Sequence, residues 1–493
     1  MSEFESTRNT STMIVAIVVI AIIGVAGVSI MLMSPGPGPG PTNTTETTTT
    51  TGTGTTEPTT TGNVLTIITR HDLSIQNVWD AAFLASDFAH DNNIVDLKWR
   101  APAEEFFDDL INQGVADVVF GGGPTLFDQL MRDDLLAPLT SPLMQTVSDR
   151  INDTIAGVDM KRNNTADQLV WIAAAISTFG FTVNHEFLDY YGLPTPSTWT
   201  DLADPIWAQY LPTVPTIAMG NAPDTTSNTR IYEIITQALG WQDGWTNMAR
   251  MSGSAKMMGG SVETQNEVEQ GNVGVAMSID FYGYLSQARN PDCEYVVPEG
   301  QSIVNGDPIA IAATSSHKTL AEGFLDFVLS AEGQALWLDP DIRRMPVMRE
   351  AFDLVSGVDD LYSAFNQTIG TVGIDFNDTL SLAMNRAFIK YFEAVFTDAH
   401  TELVNCWSAI CTAYDEGRIT LGELNTYCDQ MGAMISAQDA KTSIIEEFTI
   451  AYATAINNDM IYDSAYASTM QSRWTVQAKL QYISVMNAVN AET

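Results

Sequence analysis

Polar side chains stand where the first predicted strand ends. The run VLTIIT at 64–69 has the apolar, β-branched composition of a buried strand, and Thr69 and Arg70 close it. Ligands of open α/β sheets bind beyond the carboxyl ends of the strands. A guanidinium can pair bidentately with a carboxylate or a phosphate-like group, so Arg70, with Thr69 beside it, is a candidate contact for an anionic ligand.

A glycine-rich turn follows a second such strand. The run ADVVF at 116–120 leads through Gly122 and Gly123 into a helix that is predicted to begin near Pro124, with Thr125 in its first turn. Glycine lets a ligand approach the backbone closely, and the free N–H groups of a helix start bind anions. The segment therefore predicts a site for an anion or a polar ligand, and a simple tight turn is the alternative. It matches neither the P-loop nor the dinucleotide-binding glycine pattern.

A second helix start carries hydroxyl groups. The stretch NAPDTTSNT at 221–229 places Thr226 and Ser227 at the beginning of a run that is predicted to be helical. Their side chains either cap this helix or, together with its N–H groups, face a ligand from the side opposite the glycine turn.

Acidic and phenolic side chains alternate in SIDFYGY at 278–284. If this segment is extended, Asp280 and Tyr282 point to the same face. Such groups bind a hard cation such as ferric iron, or they hydrogen-bond an organic solute. Asp307, at the head of a later predicted strand, could join them. No His-rich set lies nearby in the sequence, so we assign Asp280 and Tyr282 as metal ligands only if the ligand is iron.

The composition excludes several classes of function. The 493 residues include 60 Asp and Glu against 22 Lys and Arg, a formal charge of −38. Nucleic-acid binding needs clustered Lys and Arg, so no nucleic-acid partner is expected. The sequence has five His and contains neither G-x-S-x-G nor H-E-x-x-H, which makes an enzyme the weaker hypothesis, and it suggests no cofactor.

Two of the four cysteines flank a predicted helix turn. Cys411 and Cys428 lie on either side of the stretch DEGRIT, after which Thr420 and Glu423 form the T-x-x-E pattern of a capping box. An antiparallel helix pair would bring the two cysteines side by side, which predicts a Cys411–Cys428 disulfide. Buried free thiols are the alternative.

The N-terminal residues predict a membrane anchor and a stalk. After a tail at 1–12, residues 13–33 are uncharged and apolar over a length that spans a bilayer as a helix. An uncleaved anchor is favoured over a cleaved signal segment, because the tail is not basic. Arg8 places the tail in the cytoplasm. The Pro-, Gly- and Thr-rich segment 34–62 reads as an extended, O-glycosylated linker. N-x-T sequons agree with a glycosylated surface protein and occur at Asn43, Asn152, Asn163, Asn366 and Asn377.

From residue 63 onwards, predicted strands alternate with predicted helices. This alternation predicts an α/β fold with an open sheet. A middle section at about 180–275 has strands and helices of its own, and residues 351–493 read as an almost wholly helical C-terminal extension.

Several segments resemble the extracellular solute-binding proteins of ABC importers, in the iron(III)/thiamine-like branch of the type 2 periplasmic binding proteins. The similarity covers about 63–350. It is carried by TRHD at 69–72, DVVFGGGPTLFDQL at 117–130, PSTWTDLADPIW at 196–207, QALGWQDGW at 237–245, SIDFYG at 278–283, DPIAIAATSSHKTLAEGFLDFVLSAEGQALW at 307–337 and RRMPV at 343–347.

The resemblance implies a fold and a mode of action. It implies two α/β lobes over 63–350, the second at about 180–275, which are joined by hinge strands, close on one solute and then dock on a permease. It also implies ligand contacts at Thr69, Arg70, Gly122, Gly123, Thr125, Thr226, Ser227, Asp280 and Tyr282. Iron-binding relatives use adjacent tyrosines, whereas this chain has FYGY. The extension 351–493 has no counterpart in the resemblance and could pack on the first lobe, shape the cleft rim or touch the permease.

The sequence therefore predicts a membrane-anchored protein whose binding domain faces the extracellular side. It is expected to capture iron(III), or an oxyanionic or organic solute, for an ABC permease. The alternative from another class is a surface sensor or adhesion module that uses the same lobes without transport.

Overall fold

The computed structural model describes residues 62–102, 106–370 and 373–492. The predicted tail, the predicted membrane anchor and the stalk up to residue 61 lie outside the described residues. No helix within these described ranges is long and apolar enough to cross a membrane.

Strands and helices alternate as the sequence predicts. The first elements are β1 (Asn63–Thr69), α1 (Leu73–Leu84), α2 (Asp87–Asp91), β2 (Ile94–Arg100), α3 (Phe107–Asn112), β3 (Val118–Phe120), α4 (Pro124–Arg132), α5 (Pro142–Asp149), β4 (Thr154–Ile155), β5 (Val158–Asp159), β6 (Lys161–Asn163) and β7 (Leu169–Asn184). The middle elements are α6 (His185–Tyr191), β8 (Ile217–Gly220), α7 (Thr226–Leu239), α8 (Trp241–Gly253), β9 (Ala255–Met258), α9 (Ser261–Glu269), β10 (Val275–Ile279), α10 (Asp280–Arg289) and β11 (Cys293–Val296). The last elements are β12 (Val304–Ile311), α11 (Lys318–Val328), α12 (Ala331–Ala335), β13 (Met345–Pro346), α13 (Asp359–Gly370), α14 (Asp378–Phe392), α15 (His400–Asp415), α16 (Leu421–Met431), β14 (Ser436–Gln438), β15 (Ile445–Glu447), α17 (Ile450–Tyr462) and α18 (Ser464–Asn490).

One eleven-stranded sheet runs through the molecule. Its main path is β2-β1-β3-β12-β7-β10-β8-β9, and β6, β11 and β13 also pair with β7. The 16-residue strand β7 pairs with β12 over Ile172–Thr178 and with β10 over Phe179–Val183. The chain therefore leaves the first half of the sheet along β7 and returns to it along β12, which are the two crossover strands between the halves.

Lobe 1, built around β1, β2, β3 and β12, buries both faces of its part of the sheet. Ile67 packs in one apolar cluster with Trp79 and Phe324, whereas the next residue, Ile68, packs in another with Phe127. Successive residues of a strand point to opposite faces, so an unbroken apolar strand requires a helical layer on each side. This arrangement confirms the predicted α/β fold.

Lobe 2, built around β8, β9 and β10, shares its core with the C-terminal bundle, which we define as residues 373–492. Trp245 of α8 lies in the same apolar cluster as Phe388 and Trp407 of the bundle. Trp407 packs on Gly253, where an added Cβ would lie 2.8 Å from the indole, and its Nε1 donates to Oγ of Ser254 at 2.9 Å. Two of the placements predicted for the C-terminal extension occur: α13 packs on lobe 1, whereas α14 to α18 continue the core of lobe 2, and α14 also reaches the rim of the cleft.

The predicted disulfide is wrong. Cys411 of α15 and Cys428 of α16 are both buried free thiols, although the helix pair forms and the capping box of Thr420 and Glu423 is present. Both thiols lie in the apolar core that lobe 2 shares with the bundle, where free cysteine packs as a small apolar side chain. The helix pair therefore buries the two thiols without a bond between them. Burial also raises the pKa of both thiols, to about 12 for Cys428.

Candidate functional site

A cavity of about 460 Å³ lies between the two lobes. Three parts of the chain form its wall. Lobe 1 contributes Arg70, Gly122, Thr125, Asp307 and Arg344, among others. Lobe 2 contributes Thr226, Ser227, Arg230, Ser261 and Tyr282, and the C-terminal bundle contributes Asn385, Arg386 and Ile389. Its volume falls in the range of about 300 to 1,000 Å³ that is usual for sites of small organic molecules.

Eight of the ten predicted ligand residues lie on this wall, namely Arg70, Gly122, Gly123, Thr125, Thr226, Ser227, Tyr282 and Asp307. Their contact with a solute stays a prediction. The other two, Thr69 and Asp280, are buried behind the wall.

Thr69 joins two strand ends instead of facing the cavity. Its Oγ1 donates to the carbonyl oxygen of Phe120 at 2.6 Å and accepts from the backbone N–H of His71 at 2.9 Å. Both hydrogen-bonding functions of the hydroxyl are therefore used within the protein. Thr69 fixes β1 against β3 and so positions Arg70, the next residue.

Asp280 and Tyr282 do not share a face, because the segment, which would align them only if it were extended, is helical from Asp280 onwards. Asp280 accepts backbone N–H bonds from Thr178 at 2.9 Å and Phe281 at 2.8 Å, and burial raises its pKa to about 7. Tyr282 faces the cavity, and burial raises its pKa above the usual range. Tyr284 packs into the core of lobe 1. The acid and the phenol therefore do not form the pair that an iron site was predicted to use.

Among the residues that the structure describes, no group of three or more His, Cys, Asp or Glu side chains is arranged to hold a metal ion.

The N–H groups of the glycine turn are already occupied by the protein itself. The backbone N–H groups of Gly122 and Gly123 donate to Oδ1 of Asp307 at 3.1 and 3.0 Å. The predicted turn and the start of α4 at Pro124 are confirmed, but two of the amides expected to hold an anionic ligand hold a carboxylate of β12 instead. Asp307 is thus a positioning residue that fastens the turn to a crossover strand.

Asp307 belongs to a buried charge network at the hinge. Its Oδ2 lies 2.7 Å from Nη2 of Arg344 and 3.8 Å from Nε2 of His71. Burial alone would raise the pKa of Asp307, but Arg344, His71 and the glycine N–H groups together hold it below its usual value. Gly121 has a φ of +76°, and a Cβ there would lie 2.3 Å from the His71 ring, so the turn needs glycine at this position.

His71 is held neutral in the folded protein. Burial lowers its pKa from 6.5 to about 4, and Nη1 of Arg344 lies 3.3 Å from its Nδ1, to which it donates. The unfolded chain therefore binds a proton at His71 between these two pH values, while the folded chain does not. The stability that the neutral His71 contributes is fully present above pH 6.5 and is lost as the pH falls towards about 4.

We expect the loss of stability that comes from protonation of His71 to disappear in His71→Gln. The amide oxygen of glutamine can still accept a hydrogen bond from Arg344. Between about pH 7.5 and about pH 4.5, the free energy of unfolding of the unaltered protein should fall by about 2 to 3 kcal/mol more than that of the variant. Urea unfolding followed by circular dichroism at both pH values measures the difference, and the contribution of Asp280 is common to both proteins. Equal losses would show that His71 does not titrate in this window.

Arg70 is one of the guanidinium groups that line the cavity. Its Nη1 donates to the carbonyl oxygen of Pro102 at 2.9 Å, and no carboxylate among the described residues pairs with it. Arg230 and Arg344 are both paired with carboxylates. Arg70 also follows β1, so it stands at the sheet edge where the sequence predicted a ligand contact.

Helix starts surround the same cavity. Thr225, Ser227 and Ser261 join the starts of α7 and α9 through their hydroxyl groups, with Ser227 Oγ 2.8 Å from Ser261 Oγ. Neither α9 nor α4 receives a side-chain cap at its first residue. Uncapped N–H groups at helix starts attract negative charge, so both lobes offer donors to an anion here, beside the carboxylate of Glu263 in the first turn of α9.

Arg230 connects the two lobes. It lies on α7 in lobe 2, and its Nη1 donates to Oγ1 of Thr125 at 3.1 Å and its Nη2 to Oδ1 of Asn305 at 3.4 Å, both in lobe 1. The same guanidinium pairs with Glu233 at 3.4 Å and with Asp378 of the C-terminal bundle. It therefore bonds to both lobes and to the bundle at the edge of the cavity.

Sequence reasoning missed Arg230 and Arg344. Arg230 and Glu233 are the two charges in the apolar helix run TRIYEII, and charges on a buried helix face signal polar partners there, from the same helix or from another element. Arg344 lies in RRMPV, which was noted only as part of a resemblance. Beyond helical periodicity, nothing in the sequence indicates that Asn385, Arg386 and Ile389 of α14 lie on the cavity wall.

A family model and curated relatives match parts of this chain. A family model described as bacterial extracellular solute-binding protein matches residues 113–358. The phosphoglycerate transport regulatory protein PgtC of Salmonella typhimurium is 24% identical over 241 residues, which are 48% of this chain and 55% of that protein. The chain thus spans about half the length of the curated relatives it matches.

Solved structures show the fold at lower identity. The periplasmic binding protein AfuA from Actinobacillus pleuropneumoniae, with fructose-6-phosphate bound, has a TM-score of 0.50 and 17% identity, covering 70% of this chain and 97% of that one. A periplasmic thiamin binding protein has a TM-score of 0.51 and 17% identity, covering 67% of this chain and 96% of that one.

Proposed function

Because this chain belongs to the bacterial extracellular solute-binding proteins, we propose that it captures an oxyanionic organic solute between its lobes and delivers it to the permease of an ABC importer. The observation that carries the choice of solute is Arg70, a guanidinium on the cavity wall that no carboxylate among the described residues neutralises. The uncapped starts of α4 and α9 add donors for negative charge. PgtC, which is named for phosphoglycerate transport, and AfuA, which was solved with fructose-6-phosphate bound, support the same class of solute.

Capture works by closure about the crossover strands. A solute that touches Arg70 in lobe 1 and the helix starts in lobe 2 gains its full binding energy only when the lobes are closed. Binding therefore shifts the population towards the closed form, which the permease then recognises. Arg230 adds contacts of its own between the lobes, through Thr125 and Asn305. No step of this cycle needs a catalytic group, so the protein acts by binding alone.

The site of action belongs to the same proposal. Residues 13–33 would hold the protein in the membrane, with the Thr-rich segment 34–62 as a stalk and the lobes on the extracellular side. An anchored receptor stays beside its permease in a cell without an outer membrane. The hydrophobicity and length of 13–33 support this placement.

Titration calorimetry of the full chain in mild detergent tests the proposal. The probes are phosphoglycerate, fructose 6-phosphate, inorganic phosphate, thiamin and iron(III). We expect binding of at least one organic phosphate and a loss of about tenfold to a hundredfold in its affinity in Arg70→Ala, because charge-assisted hydrogen bonds are lost.

Arg100→Ala is the matched control, since it removes the same charge from an exposed position at the end of β2. Its affinity should equal that of the unaltered protein. Binding of iron(III) or thiamin with no response to the organic phosphates would contradict the oxyanion proposal, and so would an Arg70→Ala variant that binds as tightly as Arg100→Ala.

A further inference from the structure

One helix of the C-terminal bundle lines the cavity. Asn385, Arg386 and Ile389 of α14 all lie on the cavity wall. Asn385 and Ile389 are four residues apart and so lie on one face of the helix. The wall of the cavity therefore includes an amide, a guanidinium and an aliphatic side chain from outside both lobes.

This helix is held firmly against lobe 2. Phe392 stacks on Tyr232 of α7, with ring centroids 4.2 Å apart and planes 12° from parallel. Phe388, one helical turn earlier, lies 4.8 Å from the ring of Trp245. Asn385 donates through Nδ2 to Oε1 of Glu233 at 3.3 Å. The wall residues of α14 are therefore positioned by lobe 2 and move with it.

The same helix also reaches lobe 1. Its first residue, Asp378, pairs with Arg230, and Nη1 of Arg230 donates to Thr125 at the start of α4. The guanidinium lies 4.0 Å above the ring of Phe376, just before α14, and α14 itself packs against α4. The helix thus spans the edge of the cavity between the lobes.

We propose that α14 is a third wall of the solute site and that Asn385, Arg386 and Ile389 select the solute by contacting the part that Arg70 does not hold. This inference rests on the proposed function. An amide and a guanidinium donate to hydroxyl or carboxylate oxygens, and Ile389 packs on carbon. The wall therefore fits an organic phosphate with a hydroxylated or acidic carbon skeleton better than a bare inorganic oxyanion. The family match ends at residue 358, so this wall lies outside it.

The test compares phosphoglycerate and fructose 6-phosphate with inorganic phosphate, using calorimetry of the full chain. Arg386→Ala and Asn385→Ala should each weaken the better organic phosphate by about tenfold or more, while inorganic phosphate changes by less than about threefold. Ile389→Trp, which fills space in the cavity without changing charge, should exclude the organic phosphates and still admit inorganic phosphate. Arg386→Lys should restore part of the affinity.

Control variants distinguish the loss of a contact with the solute from a general change in the charge or the fold of the protein. Arg473→Ala removes the same charge from α18, where the guanidinium donates to the carbonyl oxygen of Gln438, and it should bind like the unaltered protein. Thermal melting of each variant checks the fold, and the alanine variants keep the test decisive if Ile389→Trp fails to fold. Unchanged affinities in Arg386→Ala and Asn385→Ala would overturn the third wall and leave the proposed function intact. Failure of the unaltered protein to bind either organic phosphate would contradict both.

Discussion

A chain that ends at residue 370 is expected to be insoluble or unfolded in lobe 2. The truncation removes Phe388, Tyr391 and Phe396, whose rings pack within 6 Å of Trp245 between centroids. Removal of one large core side chain costs about 3 to 5 kcal/mol, and a whole domain is stable by only about 5 to 15 kcal/mol. The loss of several such contacts at once exceeds the stability that lobe 2 can have.

The test compares residues 62–370 with residues 62–493. Soluble yield, size-exclusion chromatography and near-ultraviolet circular dichroism show whether lobe 2 is folded in each. Within the longer chain, Trp245→Ala should lower the free energy of unfolding by about 3 to 5 kcal/mol. Ile445→Ala, at an exposed position of the β14–β15 hairpin, should leave it within about 0.5 kcal/mol. A soluble 62–370 monomer with a cooperative melting transition would show that lobe 2 has a core of its own.

Arg344→Met is expected to destabilise the protein by about 3 to 5 kcal/mol, because it leaves a buried carboxylate without its cation. Arg344 and Asp307 are both almost fully buried, and Nη2 of Arg344 lies 2.7 Å from the carboxylate. Methionine keeps much of the length of the side chain and can still pack on Phe281 and Trp337, against which the guanidinium lies. The loss therefore measures the charge and its hydrogen bonds more than the packing.

The double variant Arg344→Met, Asp307→Asn distinguishes a charge effect from a general defect. Asparagine has no charge to leave unpaired, and its oxygen can still accept from Gly122 and Gly123. We expect the second substitution to recover at least half of the loss, as measured by urea unfolding at neutral pH. A double variant that is less stable than Arg344→Met would mean that the glycine turn, and not the ion pair, dominates.

Local patterns predicted the elements of this fold well, because buried strands and amphipathic helices are encoded by neighbouring residues. The run at 64–69 became β1, and the helix start at Pro124 came from a glycine turn followed by proline, both of which are local signals. The conformation of 278–284 was left conditional, because alternation over a few residues cannot separate the end of a strand from the first turn of a helix. Asp280 begins α10 at that boundary.

Contacts between residues that lie far apart in the chain could not be predicted from the sequence. The amides of Gly122 and Gly123 are taken by Asp307, about 185 positions along the chain, and nothing near the glycines indicates it. The wall formed by α14 was missed for a related reason. A helical pattern shows which residues face a core but not which core they face.

All ten tryptophans of the chain lie off the cavity wall. Trp337 comes near it but lies behind His71 and Arg344, with its ring centroid 5.4 Å from that of His71. A solute in the cavity therefore cannot quench an indole by direct contact. A shift in tryptophan emission on adding a compound would therefore report rearrangement of the surrounding protein, which makes tryptophan fluorescence a gauge of closure that needs no added dye.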